Sequence, residues 1–295
     1  MRVPVVLCFD RRILLGAGVT ILSLLDTAAA TTCYEIHVLH PGLPQRAMEA
    51  FRRLVAGTRH SLSFRHLPPA ALGKVPTRGG SRTAVVYYRL LIPQLYTQYD
   101  KVIYSDVDVC VRRDLAEVYA EDLGDYQWAG VAAEANTPQA VCHRHFPENA
   151  NERIYMSGFM VMNLARMRAE ELVDEFLETI EEFGERLRFY DLDVLNLACT
   201  AIKPLPFEYV TLEDVYESED VTQSGDYCFL KSVYTPAELH RARSAPAIIH
   251  YAGRRGKPWQ RRRAPGSFQA YVDRLPVALR VTTFRDFRKR LLARD

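Results

Sequence analysis

The sequence predicts an α/β protein built on an open, mostly parallel sheet flanked by helices. Two observations predict it. The chain starts with a continuous apolar run, Val3–Phe9, that stops at Asp10, as a strand buried on both faces does. Helical and strand-like segments then alternate as βαβαβ, the pattern of an open α/β sheet whose ligands bind beyond the carboxyl ends of the strands. Asp10 and the residues after it therefore belong beside a binding crevice.

The elements follow in order. Leu14 to about Ala29 is apolar on most of its surface and predicts a buried helix; Tyr34–Leu39 predicts a strand closed by Pro41-Gly42. Gln45–Val55 has helical periodicity and His60–Leu67 returns to strand. Pro68–Arg82 is a polar loop with glycine and proline, followed by a helical stretch from Thr83 to about Tyr96. Lys101-Val102-Ile103-Tyr104-Ser105-Asp106-Val107-Asp108 predicts a strand that terminates in two acids. Strands are expected over Ala129–Ala133, Tyr155–Asn163 and Ala247–His250, and helices over Glu170–Phe183 and Leu192–Cys199. Beyond Lys257-Pro258-Trp259 the chain is basic and helical. With no repeat and no low-complexity linker, residues 1–262 are expected to form one domain and 263–295 a basic helical C-terminal extension.

Composition narrows the function class. The 295 residues are 48% hydrophobic and 25% charged, with a formal charge of +2, so no long-range field points to nucleic acid. The six cysteines form no C-x-x-C pair and several lie in apolar runs, which predicts buried free thiols in a reducing compartment. The apolar start is interrupted by Asp10-Arg11-Arg12, and Ile13–Leu25 falls short of the ~20 residues a membrane span needs. The expectation is a cytoplasmic protein. In the extension, Phe284, Phe287, Leu291 and Leu292 share one helical side and basic residues the other. Such a helix suits either peripheral contact with the inner face of a membrane or packing on the protein's own domain.

Two constellations carry chemistry. Asp106-x-Asp108 closes an apolar strand; two adjacent carboxylates repel unless a cation lies between them, and Mg²⁺ or Mn²⁺ takes such oxygen ligands while bridging to phosphate. His250-Tyr251-Ala252-Gly253-Arg254-Arg255-Gly256-Lys257-Pro258-Trp259 ends a strand in an imidazole. It then offers two glycines for close backbone approach to a diphosphate and a lysine to neutralise it. The bland reading of the second segment is a basic surface turn with a packed Trp259.

Together these segments resemble glycosyltransferase family 8, the family of bacterial lipopolysaccharide glucosyl- and galactosyltransferases, galactinol synthase and glycogenin. The resemblance runs from Val5 to Trp259. It is strongest over Tyr87–Pro93 and Tyr99–Tyr104 into Asp106-Val107-Asp108, then Ser157–Asn163, Asp191–Asn196 and the HxxG…KPW segment. It implies a GT-A type fold and a Mn²⁺ (or Mg²⁺) ion held by Asp106, Asp108 and His250. It also implies a UDP-sugar donor among Asp10, Arg89, Val107, Gly253, Gly256, Lys257 and Glu134. Asp10 would meet the uracil, Lys257 the diphosphate, and Glu134 the sugar or acceptor. Asp191, hydrogen-bonding the transferred hexose, and Arg89, near the donor sugar, are the implied catalytic residues. The implied reaction is retaining transfer of glucose or galactose to a glycan or glycolipid acceptor, lipopolysaccharide or another cell-surface glycan.

The chain departs from the family pattern at named places. Leu192 stands where a glutamine is common, and Met156-Ser157-Gly158 replaces an N-[AS]-G motif. The Gly253–Lys257 loop is one residue longer than usual, and Asp10-Arg11-Arg12-Ile13 carries no aromatic platform for a base. Other assignments stay open. Arg89 suits a structural ion pair as well as a donor site, Asp191 and Asp193 suit N-terminal caps, and Asp193 is read as structural. Glu134 suits a solvated loop acid, Trp259 packing, and Arg261–Arg263 a solvated face. A non-catalytic nucleotide-sugar binder is the alternative to an enzyme. A nucleotidyltransferase is disfavoured, because Arg11-Arg12 occupies the place of a Gly-rich phosphate loop.

Overall fold

The computed structural model describes residues 1–73, 75–76, 84–143, 146–253, 255–280 and 283. Among them, the strands are β1 (Arg2–Cys8), β2 (Cys33–His40), β3 (Ser61–His66), β4 (Lys101–Ser105), β5 (Val109–Val111), β6 (Trp128–Ala135), β7 (Arg153–Asn163), β8 (Ile202–Leu205), β9 (Thr211–Leu212) and β10 (Ile248–His250). Seven form one sheet in the order β3-β2-β1-β4-β7-β6-β8, and β5-β10-β9 form a second, small one. The large sheet is parallel except at β7, which runs antiparallel to both β4 and β6. This is the mixed, mostly parallel α/β architecture the sequence predicts.

The alternation of side chains along β1 explains the two cores. Val3, Val5 and Leu7 point to one face and join helix Leu14–Asp26; Val6 and Cys8 point to the other and join Tyr88, Tyr104 and Met160. Helix Leu14–Asp26 is buried from Leu14 to Leu24 because it is sandwiched between the sheets. Its two polar side chains on that side are spent on the small sheet: Thr20 Oγ1 donates to the Val109 carbonyl (2.9 Å), and Ser23 Oγ accepts from the Val111 N–H (3.0 Å). The helix stops three residues before the predicted end. Thr27 Oγ1 donates back to the Ser23 carbonyl (2.9 Å), offering the backbone an alternative to another turn.

Several predicted elements are refined. Thr83–Tyr96 resolves into a 3₁₀ stretch over Ala84–Leu91 and a single α-turn over Ile92–Leu95. β8, the small sheet and the helices between Glu213 and Ser244 have no counterpart in the sequence reading beyond the expected strand that became β10. The cysteines are free thiols, with Cys8, Cys110 and Cys199 buried and Cys228 exposed. Within the extension, helix Gly266–Val272 and the residues after it place Phe268, Leu275 and Leu279 in the same apolar core as Val19. The basic helix predicted around Phe284 and Leu291 lies outside the described residues. No described helix is long and apolar enough to cross a membrane.

Candidate active site and metal centre

The site forms where the two sheets meet. β4 ends at Ser105, and the chain passes through Asp106, Val107 and Asp108 before β5 begins. On one side β7 pairs with β4 and the Asp106 N–H donates to the Gly158 carbonyl (2.8 Å). On the other, β10 pairs with β5 so that His250 lies opposite Val109, and the Tyr251 N–H donates to the Asp108 carbonyl (2.9 Å). Backbone pairing alone therefore brings a histidine 142 positions away onto the two acids.

Asp106, Asp108 and His250 each offer a ligand atom within 4.8 Å of the others. His250 Nε2 lies 3.2 Å from Asp108 Oδ1 and 3.6 Å from Asp106 Oδ2. Two carboxylate oxygens and one imidazole nitrogen form a mixed donor set that could hold a divalent cation. Space agrees with such a site: a β-carbon on Gly158 would lie 2.4 Å from His250 Cε1 and 3.2 Å from Asp106 Oδ2. Gly158 leaves room that any other side chain would fill. Lys257 Nζ bonds the second oxygen of Asp108 and the Tyr251 carbonyl (3.0 Å). Burial pushes the Asp108 carboxyl up, but Lys257 and His250 outweigh it and hold it well below the ordinary carboxylate range.

Arg89 is the hub on the opposite flank. Its Nε donates to the Val86 carbonyl (3.0 Å), Nη1 to the Ser157 carbonyl (2.6 Å) and Nη2 to Asp106 Oδ1 (2.9 Å). Nη1 also lies 3.2 Å from Asp191 Oδ2, in an alignment that leaves that buried oxygen without a hydrogen bond. Burial works against the guanidinium charge, and Asp191, Tyr104 and Asp106 more than compensate. Asp191 opens helix Asp191–Ala198, directly after Tyr190, a non-glycine residue held at φ 56°. Burial raises the Asp191 carboxyl, with Arg89 pulling the other way.

Sequence reasoning passed over Tyr104. Its hydroxyl donates to Asp106 Oδ1 (2.8 Å), and Arg89 lies over its ring at 4.2 Å from the centroid. With Oδ1 held by both Tyr104 and Arg89, Oδ2 is the oxygen turned to His250. The signal was present in the apolar strand Val102-Ile103-Tyr104, where a tyrosine hydroxyl two residues before an acid needs a partner.

The remaining predicted residues occupy distinct places. Asp10 follows β1, and its two oxygens accept from the Arg12 N–H (2.8 Å) and Nε (3.0 Å). Val107 is buried, and its carbonyl and the Trp259 ring both abut Gly16, so Trp259 packs as expected. Gly253 and Gly256 adopt φ 132° and 70°, conformations that favour glycine. Asp193 is structural: its Oδ2 accepts from the Arg188 and Phe189 N–H groups, both at 2.7 Å. Glu134 is not solvated; it is 1% exposed and accepts from the N–H groups of Val141, Cys142 and His143. Arg261 is not a solvated residue either: its guanidinium forks onto buried Glu213.

Comparisons with known proteins identify the family and the fold. Residues 4–263 match the model of Glycosyl transferase family 8. The lipopolysaccharide 1,2-glucosyltransferase of Escherichia coli is 24% identical over 258 residues, 85% of this chain and 71% of that protein. Glycosyltransferase GlyA of Streptococcus pneumoniae serotype 4 is 27% identical over 180 residues, 59% of this chain; the match spans only 21% of GlyA. In three dimensions the chain is similar to galactosyltransferase LgtC, solved with donor and acceptor sugar analogues, with TM-score 0.75, 20% identity and coverage of 97% and 99% of the two chains. With the family model spanning nearly the whole chain, this protein belongs to glycosyltransferase family 8.

Proposed function

We propose that this glycosyltransferase transfers a hexose, glucose or galactose, from a UDP-sugar to a glycan acceptor with retention of anomeric configuration and with dependence on a divalent metal. The observation that carries the proposal is the Asp106–Asp108–His250 donor set with Lys257 and Arg89 on its flanks. The names of the E. coli relative and of LgtC support lipopolysaccharide or another cell-surface glycan as acceptor and glucose or galactose as donor sugar.

In this reading Asp106, Asp108 and His250 hold Mn²⁺ or Mg²⁺, which supplies electrostatic stabilisation of the leaving diphosphate. The chain's own residues do the rest. Lys257 adds a cation to the diphosphate, and the backbone at Gly253 and Gly256 lets it approach. Asp10 meets the base, with Arg12 fixing its carboxylate. Arg89 orients Asp106 and Asp191 together, and Asp191 accepts a hydrogen bond from the transferred sugar through its unfilled oxygen. Glu134 organises the 141–143 loop and shapes the acceptor side instead of touching sugar. The acceptor hydroxyl attacks on the face the diphosphate leaves, its proton passing to a phosphate oxygen. A double displacement needs a free carboxylate on the opposite face; Leu192 has none, and Asp191 is buried against Arg89 with its charge disfavoured. A covalent glycosyl adduct trapped on Asp191 would overturn this same-face route.

The test is nucleotide release from a panel of nucleotide sugars, with Mn²⁺ or with EDTA. Mn²⁺-dependent release of UDP from one sugar, lost in Asp108→Ala, is the expected outcome. A chain that binds UDP yet turns over no donor, with or without a glycan acceptor, is a binder; one that binds no nucleotide refutes the proposal.

A further inference from the structure

The basic run after Trp259 contains a side chain with an unexpected task. Arg261 Nη1 donates to Glu213 Oε1 (2.6 Å) and Nη2 to Glu213 Oε2. The same guanidinium also holds two consecutive carbonyls of the loop after His250: Nη2 donates to Gly256 (2.5 Å) and Nε to Arg255 (3.0 Å). Glu213 is 3% exposed, so this fork rests on a carboxylate with little access to water. Next to it, Asp214 Oδ1 accepts from Arg255 Nε (2.6 Å), while Oδ2 accepts from Ser224 Oγ (3.0 Å) and the Gly225 N–H (2.6 Å).

Register explains why these acids are in reach. β9 pairs with β10 so that Leu212 lies opposite His250, and Glu213 is the next residue. The loop leaves the small sheet at a metal ligand and is tied back one residue beyond that ligand's strand partner. Gly256, at φ 70°, precedes Lys257, and its carbonyl belongs to the peptide that joins the two. Fixing that carbonyl fixes the direction in which the lysine stem starts. A lysine is a point charge on a flexible four-carbon stem, so its placement depends on where the stem begins, whereas a guanidinium forked on a carboxylate is rigid.

We propose that Arg261 and Glu213 are a positioning pair for Lys257, setting the affinity for the nucleotide diphosphate without contributing to the metal ligands. The inference rests on the UDP-sugar reading above. Asp214 supports the same loop from its solvent side through Arg255.

Two titrations test it on the full chain: Mn²⁺ alone, and UDP in saturating Mn²⁺. A hydrogen bond to a charged group is worth roughly 10- to 100-fold in an equilibrium constant. Arg261→Met should therefore weaken UDP binding on the order of 10- to 100-fold and leave the affinity for Mn²⁺ alone unchanged. Arg261→Lys should not restore UDP binding, because it cannot fork. In a double-mutant cycle, Lys257→Met should cost far less UDP affinity in the Arg261→Met background than in the wild type. Asp214→Asn, which leaves the buried pair intact, keeps the test informative if Arg261→Met does not fold; it should weaken UDP binding by less. Unchanged UDP binding in folded Arg261→Met and Asp214→Asn overturns the proposal. So does a parallel fall in the affinity for Mn²⁺ alone, which marks a general structural role. A wild-type chain that binds no UDP overturns the donor reading itself and this role with it.

Discussion

Gly158→Ala adds one methyl group between the metal ligands. The added carbon would lie 2.4 Å from His250 Cε1, 3.0 Å from His250 Nδ1 and 3.2 Å from Asp106 Oδ2. Carbon–carbon contacts are comfortable at about 3.5–4.0 Å, so the imidazole must retreat by roughly 1 Å. Metal sites tolerate about 0.2 Å in donor placement. The ring cannot retreat cheaply, because the His250 backbone is pinned between Val109 and Leu212. Gly158 is not among the positive-φ glycines, so the effect is steric and not conformational. Overpacking of this kind costs about 1–3 kcal/mol, and at about 2–4 °C per kcal/mol for a chain of this size the protein stays folded with a lowered melting temperature. Affinity for Mn²⁺ should fall on the order of 10- to 100-fold. Electron paramagnetic resonance of free Mn²⁺ measures the affinity and calorimetry the stability. Gly266→Ala is the control, since a β-carbon there meets nothing within 4 Å. A folded Gly158→Ala protein with wild-type Mn²⁺ affinity would refute the assignment of the triad.

Two further expectations follow from the same geometry. Tyr104→Phe keeps the ring beneath Arg89 but removes the hydroxyl on Asp106 Oδ1; a hydrogen bond to a charged group is worth about 1.5 kcal/mol, so Mn²⁺ affinity should drop roughly tenfold, and an unaltered titration curve would deny Tyr104 its positioning role. Burial pushes the Asp193 carboxyl up to about 6, against the pull of the Phe189 and Arg188 N–H groups. The folded value therefore lies above the unfolded value of about 3.9, and folding takes up a proton. The associated stability, on the order of 3 kcal/mol, is present below about pH 4 and lost as pH rises through about 6. Thermal melts from pH 4 to 6.5 should show wild type losing stability relative to Asp193→Asn; a constant difference across that range would contradict the shift.

Most of the large sheet was legible because β1, β4, β6 and β7 carry apolar runs, whereas the four-residue β8 was not; the helix Gln45–Val55 was legible because its buried Ala47, Ala50 and Phe51 recur at helical spacing. β5 and β9 span only Val109–Val111 and Thr211–Leu212, too short for any period to register, so the expected strand that became β10 had no visible partners. Yet this small sheet carries His250 to the acids. The triad could be named without it because resemblance supplied the pairing that periodicity did not. The solvated readings of Glu134 and Arg261 failed for a common reason: a charged residue in a polar stretch implies solvent until its partner is known. Their partners, the 141–143 backbone and Glu213, are set by tertiary structure alone.

The contact beneath Val107 has a practical consequence. The chain has two tryptophans. Trp128 is fully buried in β6 beside Tyr155, remote in sequence from the loop after His250. Trp259 lies two residues beyond Lys257, and its indole shares the surface of Gly16 with the carbonyl of the residue between the two metal-binding acids. Indole emission responds to nearby dipoles and to hydration, so Trp259 is an intrinsic optical probe of the Lys257 loop. A Trp128→Phe protein, excited where tyrosine does not absorb, would report through this single tryptophan, letting cation and nucleotide association be followed in real time without a labelled substrate.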